Sequence, residues 1–433
     1  MLNKLSDKIK NIFNDPFWKN VATLFTGSFI AQALPVLIFP IVTRIYSKDV
    51  IGFYFVYAAI CGVLQILSTL QYQLAIIIPK SKKEANTIFS LSFLAVLFVS
   101  IAVLLVVYFS FGIISQFIET KQFLIWLYAI PISTFFLGLF RISNFYLNRE
   151  KYYKTIASGK ILKTSLFSVL QIILGFLGFL KSGLMISLII GQVVSGVYLF
   201  IMIISKADVK LSFNFKEILI VAKKYKDMPL FNTTIAVISS ISNQLPLFFI
   251  SRYYNIGLSG SYGLSNRVVS TPMELIGTSI GQVFNQESSD TVKSGKDLHL
   301  LVKTTYLRLL KLAIIPFFLL FVTSYWLFPF LFGEQYQISG IITMILIPWL
   351  FLHFLNSPQN FLFNLLNKQK FMTVYHTLFL LSRLAVLYAG YFLLSNILYT
   401  IVLYSLVGIV FNIFLIFYYL NIIKKPFRNN YEK

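Results

Sequence analysis

Arg44 to Tyr54 reads R-I-Y-S-K-D-V-I-G-F-Y, and Arg252 to Tyr262 reads R-Y-Y-N-I-G-L-S-G-S-Y. The second stretch returns Arg44, Tyr46, Gly52 and Tyr54 as Arg252, Tyr254, Gly260 and Tyr262, at the same spacing and about half the chain away. Each copy follows a long apolar run that holds a Leu-Pro pair, Leu34-Pro35 in the first and Leu245-Pro246 in the second. A chain that repeats itself across its midpoint reads as two structural halves. Many secondary transporters are built this way, with the substrate site where the halves face each other.

The composition decides the solvent. Of 433 residues, 57% are hydrophobic and 12% charged, more apolar surface than one globular core can enclose. Apolar runs of about 20 residues recur, long enough to cross a hydrocarbon layer of roughly 30 Å as helices. Strand-like alternation between turn signals is missing, which argues against a β-barrel. The net charge of +22 would suggest a nucleic-acid partner for a soluble protein, but in a membrane protein the placement of the cations accounts for it, and no nucleic acid is expected. The single cysteine, Cys61, excludes an intramolecular disulfide framework. The first long apolar run begins near Val21 without a small-residue cleavage site, so it is expected to remain as a membrane helix.

Residues 1–17 place Leu2, Leu5, Ile9 and Phe13 at helical spacing among lysines, which predicts a cytoplasmic helix lying on the membrane. Six spans follow at about 20–43, 51–79, 86–110, 123–146, 157–180 and 183–204, forming an N-terminal lobe over 18–204. A basic, partly amphipathic cytoplasmic linker covers 205–227. Six more spans, at about 228–251, 257–284, 305–331, 338–366, 371–394 and 398–422, form a C-terminal lobe over 228–423, and a cytoplasmic tail covers 424–433. The prediction is an all-α integral membrane protein with twelve transmembrane helices in two six-helix lobes. Lys and Arg gather in the loops on the side of the termini, while Arg44, Lys48, Lys121, Lys181 and Arg252 lie opposite, which places both termini in the cytoplasm.

Cations inside spans are the sharpest chemical signal, since a charge at the centre of a membrane helix costs at least about 2.5–3.5 kcal/mol. Arg383 lies about twelve residues from either end of its run, roughly 18 Å of helix axis and too far to snorkel. It should face protein or water. Arg267 stands with Asn266, Ser270 and Glu274 along one helical side. Arg141, above Asn144 and Asn148, either lines the interior or snorkels to the cytoplasmic interface. Glu274 is the one acid well inside a span; it either neutralises a nearby Arg or is a protonatable carboxylate that couples transport to an ion gradient. His353, Asn356, Asn360 and Asn364 form a polar stripe, lining the same interior or bonding between helices.

Several chemistries are absent. Short loops with scattered acids offer no converging carboxylates for a glycosyltransferase or polymerase. No G-x-x-x-x-G-K-[ST] loop is present for ATP, and no cofactor or metal-ligand spacing is found. A transporter is expected, not an enzyme.

In order along the chain stand T-R-I-Y-S-K-D-V-I-G-F-Y (Thr43 to Tyr54), L-A-I-I-I-P-K-S (Leu74 to Ser81), Y-L-N-R-E-K-Y-Y-K-T-I-A (Tyr146 to Ala157), Y-K-D-M-P-L-F-N (Tyr225 to Asn232), Q-L-P-L-F-F-I-S (Gln244 to Ser251), G-S-Y-G-L-S-N-R (Gly260 to Arg267) and P-M-E-L-I-G-T-S-I-G-Q-V-F (Pro272 to Phe284). Together these blocks resemble the Wzx-type polysaccharide flippases of the multidrug/oligosaccharidyl-lipid/polysaccharide exporter superfamily. The resemblance implies two lobes related by a pseudo-two-fold axis in a V-shaped, MATE-like architecture around a central cavity. It implies an undecaprenyl-diphosphate-linked oligosaccharide as substrate, flipped from the cytoplasmic to the outer leaflet of the bacterial plasma membrane. Membrane lipids, a polysaccharide polymerase and a chain-length regulator are the implied partners. An anionic diphosphate fits arginines, and sugar hydroxyls fit Asn and Ser, so Arg267, Arg383, Arg141, Asn266, Ser270, Asn144, Asn356 and Asn360 are the expected cavity residues. Glu274 is the candidate for a proton or sodium ion, and Arg44 and Arg252 for the outer mouth. One departure stands out: where family members often carry a charged pair before A-I-x-x-P-K-S, this chain has Gln71 and Gln73. The alternatives are a cation-coupled drug exporter of the same superfamily and, from another class, a membrane sugar polymerase or ligase.

Overall fold

The computed structural model describes residues 16–117, 121–207, 209–212, 214–294, 297–366 and 368–423; the expected interfacial helix over 1–17, save its last two residues, and the tail over 424–433 lie outside them. The described residues form helices and their connections, with no strand. The chain divides into two compact units, Met1–Ser240 and Ile241–Lys433, at a boundary inside a helix and not in the 205–227 stretch. Eleven helices among the described residues are long and apolar enough to cross a membrane.

The first unit holds α1 (Pro16–Ile45), α2 (Lys48–Ser68), α3 (Lys82–Phe117), α4 (Ile130–Arg149), α5 (Tyr153–Phe176), α6 (Gly183–Ala207) and the short α7 (Phe215–Lys224). Its core is built from α3, α4 and α6, with Ile88, Phe89, Val96, Ile142, Tyr146, Leu199 and Ile203 buried against one another. Large apolar side chains such as Leu37, Phe98 and Phe109 point outward, because hydrocarbon surrounds the bundle and burial of oil in oil drives nothing. Close backbone approach drives packing instead. A Cβ at Gly196 of α6 would meet the Phe136 carbonyl oxygen of α4 at 2.8 Å, so only glycine lets these helices touch.

The second unit runs from α8 (Thr233–Tyr253), which crosses the boundary, through α9 (Ile256–Lys293), α10 (Leu298–Phe332), α11 (Gln337–Asn356), α12 (Gln369–Ala389) and α13 (Ile397–Ile422). At 38 residues α9 is easily long enough to span, yet its Asn, Arg, Glu, Ser and Thr content keeps it outside the eleven apolar helices. It is the twelfth helix expected, present as a helix and too polar to face lipid along its length.

The repeated stretch occupies the same place in each unit, the tight turn between the first and second long helices. Arg44 closes α1 and Lys48 opens α2; Arg252 closes α8 and Ile256 opens α9. The tyrosines explain the repetition. Tyr46 is buried and donates to the Gln171 carbonyl oxygen at 2.7 Å, while Tyr254 meets the Thr400 hydroxyl at 2.6 Å; Tyr54 and Tyr262 are both buried in the second turn of the next helix.

Two expected spans are broken. The run over 51–79 ends as helix at Ser68, passes through left-handed Leu70 (φ +45°) and Gln71 (φ +57°), and resumes as a 3-10 segment, Tyr72–Ile77. The run over 338–366 ends at Asn356 and turns into the 3-10 segment Ser357–Phe361, where Pro358 has no amide hydrogen to donate to the carbonyl oxygen four residues back. Hydropathy reports polarity and says nothing about helix continuity, so both breaks were invisible to it. The linker region folds into α7, capped by Asn214 accepting from the Lys216 amide at 3.2 Å, and docks on the start of α3. Ile218 and Val221 are its buried face; Lys83–Glu217 and Lys224–Glu84 pairs at 2.6 Å flank it, and the Glu84 carboxylate holds the Lys224 ammonium above its ordinary value.

Candidate functional site

In the first unit, Arg141 is half-buried on α4. Nη2 donates to Gln71 Oε1 at 3.2 Å. With the Gln73 amide turned to satisfy its neighbours, its oxygen accepts from Arg141 Nε at 3.0 Å and Nη2 at 3.2 Å while its nitrogen donates to Thr69 Oγ1 at 2.6 Å. The left-handed break at Leu70–Gln71 is what brings both glutamines, each buried, onto this guanidinium. Asn144 lies half-buried one turn further along α4. Two lysines of α5, Lys160 and Lys163, add cations among the helices of this unit. Lys160 donates to Ser28 Oγ of α1 at 3.0 Å, and Lys163 sits 5.3 Å above the Phe140 ring of α4. Among the described residues, no carboxylate pairs with Arg141, Lys160 or Lys163.

In the second unit, Arg383 of α12 is enclosed by protein and does not line water: its exposure is 0%. Its Cζ stands 3.8 Å from the Phe379 ring, 4.5 Å from Tyr404 and 4.6 Å from Trp349. Nη1 donates to the Ser242 carbonyl oxygen at 3.2 Å and to Ser242 Oγ and Asn243 Oδ1 at 3.3 Å, tying α12 to α8. The sequence expectation of a direct ligand is corrected for this conformation, because a side chain without accessible surface touches no substrate. Asn356 is corrected in the same way. It is buried, accepts from Tyr306 at 2.9 Å and donates to Asn412 at 3.0 Å, so its amide is spent on joining helices.

Arg267, Asn266 and Ser270 are half-buried on α9, and Ser270 donates to Asn266 Oδ1 at 3.0 Å. Two turns beyond, α9 passes the 3-10 segment so closely that a Cβ at Gly277 would meet Ser357 Oγ at 2.6 Å. A cavity of about 430 Å³ opens beside this contact, lined by Glu274, Thr278, Asn285, His353 and Ser357 among others. Glu274 is exposed into it, with no ion pair among the described residues, so the neutralising pair expected from the sequence is not formed. His353, a member of the expected polar stripe, reaches the same cavity as Glu274. Asn360 lies on the 3-10 segment, its side chain outside the described ones. Arg44 and Arg252 are both exposed at their helix ends, and Arg252 lies 5.8 Å from the Tyr253 ring.

A family model described as "Polysaccharide biosynthesis protein" matches residues 41–340. No curated protein matches the chain in sequence. Among solved structures, the chain is similar to the lipid II flippase MurJ in an inward closed conformation, with a TM-score of 0.72 at 16% identity over 92% of this chain and 87% of that one. It is also similar to a MATE transporter from Vibrio cholerae, with a TM-score of 0.62 at 12% identity over 93% of this chain and 95% of that one. An inward-facing multidrug resistance MATE family transporter of the MOP superfamily gives 0.60 at 13% identity over 93% and 94%. The fold is that of these transporters, and the chain is a multi-pass membrane protein.

Proposed function

We propose, from the premise that the chain belongs to the polysaccharide biosynthesis protein family, that it flips an undecaprenyl-diphosphate-linked oligosaccharide repeat unit from the cytoplasmic to the outer leaflet of the bacterial plasma membrane. The movement is alternating access, in a transporter and not an enzyme. The observation that carries this reading is Arg141, a cation within a membrane helix, held by neutral amides and, among the described residues, without a carboxylate to cancel it. Unlike the fully enclosed Arg383, Arg141 keeps accessible surface, so its charge can meet an anion during function. In the first unit Lys160 and Lys163 extend the basic character and Asn144 supplies a partner for sugar hydroxyls; in the second, Arg267 and its neighbours Asn266 and Ser270 offer the same chemistry. Similarity in fold to a flippase named for lipid II supports a lipid-linked substrate.

Arg383 enters this reading as a positioning residue that fixes α12 against α8, and Glu274, facing the cavity with His353, as the carboxylate for a coupling proton or sodium ion. Arg44 and Arg252 remain candidates for the outer mouth, and Asn360 for a sugar contact.

Proteoliposomes carrying the protein and a lipid-diphosphate oligosaccharide, scored only for leaflet transfer, test the proposal. Arg141→Ala and Arg267→Ala are each expected to lower transfer by about tenfold or more. Absence of transfer by well-inserted wild type, with or without an imposed proton or sodium gradient, would instead favour the cation-coupled drug exporter and make Glu274→Gln the decisive variant.

A further inference from the structure

Gln71 and Gln73 have a geometry that packing alone does not call for. To place them, the chain leaves α2 through two consecutive left-handed residues, Leu70 and Gln71, neither of them glycine. Left-handed backbone without glycine costs about 1–3 kcal/mol per residue. Both side chains are buried, and with the Gln73 amide turned as above both carbonyl oxygens face the Nε and Nη2 edge of Arg141. Thr69 holds the Gln73 amide from behind. A guanidinium edge is the group a carboxylate would grip most strongly, through two parallel charge-assisted bonds. Here two amide oxygens take that place. They satisfy the donors and fix the direction of the side chain, but being neutral they leave its charge uncancelled.

We infer that Gln71 and Gln73 are positioning residues forming a charge-preserving clamp, which presents Arg141 at full positive charge to an anionic headgroup of the diphosphate class. The inference rests on the flippase reading above for the identity of that anion. It assigns a reason for glutamine, and not glutamate, at both positions: Glu has the same shape, would hold Arg141 at least as firmly, and would neutralise it. Stability favours the acid at these positions. Binding favours the amide.

The experiment uses the full-length protein in detergent, with a short-chain polyprenyl diphosphate as probe, and reads affinity, its dependence on salt, and the thermal midpoint. Gln71→Glu and Gln73→Glu should keep or raise the midpoint while weakening probe binding by about tenfold or more and flattening its salt dependence. A purely structural role could not produce that combination, since it would lower the midpoint and affinity together. Gln71→Met and Gln73→Met keep the size and remove the clamp without adding charge. They should weaken binding less than the acids, with the wild-type salt dependence retained, and they serve if the acidic variants fail to insert. Unchanged affinity in acidic variants that fold, or equal losses in the Met and Glu series, would overturn the clamp. Failure of the wild type to bind the probe would overturn the flippase reading itself, an outcome distinguishable because it needs no variant.

Discussion

At the scale of single residues, Arg383 brings a charge into a place without accessible surface and, among the described residues, without a carboxylate, held there by three aromatic faces and the oxygens of Ser242 and Asn243. Each ring contributes about 0.5–2 kcal/mol, which together is comparable to the roughly 2.5–3.5 kcal/mol that a mid-membrane cation costs. Arg383→Ala removes both the charge and the stem that fills the cage, whereas Arg383→Met keeps the stem. The thermal midpoint in detergent should therefore fall markedly for the first, a loss on the order of 2–4 kcal/mol, and less for the second. Equal midpoints for both variants and wild type would mean the cage stabilises nothing. Asn356→Ala orphans the Tyr306 hydroxyl and the Asn412 amide oxygen and should destabilise by about 1–3 kcal/mol, while binding of a polyprenyl diphosphate stays as in wild type. Loss of binding without loss of stability in that variant would return Asn356 to the substrate site.

At the scale of elements, α7 shows how a basic linker is tied down. Its ion pairs are partly solvated, the Lys83 and Glu217 side chains being 77% and 31% exposed, and such pairs are worth about 0–1 kcal/mol. Its apolar face, Ile218 and Val221, is buried and carries more, about 1.5–3 kcal/mol for a side chain fully removed from water. Hydrogen exchange over 215–224 should therefore rise strongly in Ile218→Asp and hardly at all in Glu217→Gln. The reverse ranking would make α7 an electrostatic latch. The break between α2 and its 3-10 continuation belongs to this scale too. The expected span runs on through Leu70–Ile78 but the helix does not, because Gln71 and Gln73 within it exchange helical regularity for contacts with Arg141 and, for Gln73, with Thr69.

At the scale of the molecule, the two-sidedness of the chain can be checked through its single cysteine. Cys61 is buried, so a Cys61→Ala background with Lys223→Cys or Ser47→Cys gives one exposed thiol at a time. A membrane-impermeant maleimide on intact cells should label Ser47→Cys only, and on inside-out vesicles Lys223→Cys only, as the bias of Lys and Arg requires. Labelling of both from one side would remove the cytoplasmic placement of the termini. The amino-acid sequence by itself determined that the chain is helical and membrane-spanning, where most helices begin and end, and that its halves repeat, because hydropathy over 20 residues and a matched Arg-Tyr-Gly-Tyr spacing are local properties. It also picked out Arg141, Arg267, Arg383 and Glu274, since a charge within an apolar run is visible without any fold. What each charge touches was decided only in three dimensions. Arg383 meets rings from α11 and α13, Arg141 meets amides from a broken α2, and Glu274 faces a cavity shaped by a 3-10 turn some 80 residues away. Contacts between distant segments depend on which helix faces meet and where a helix breaks, and neither is written in the polarity of a single run.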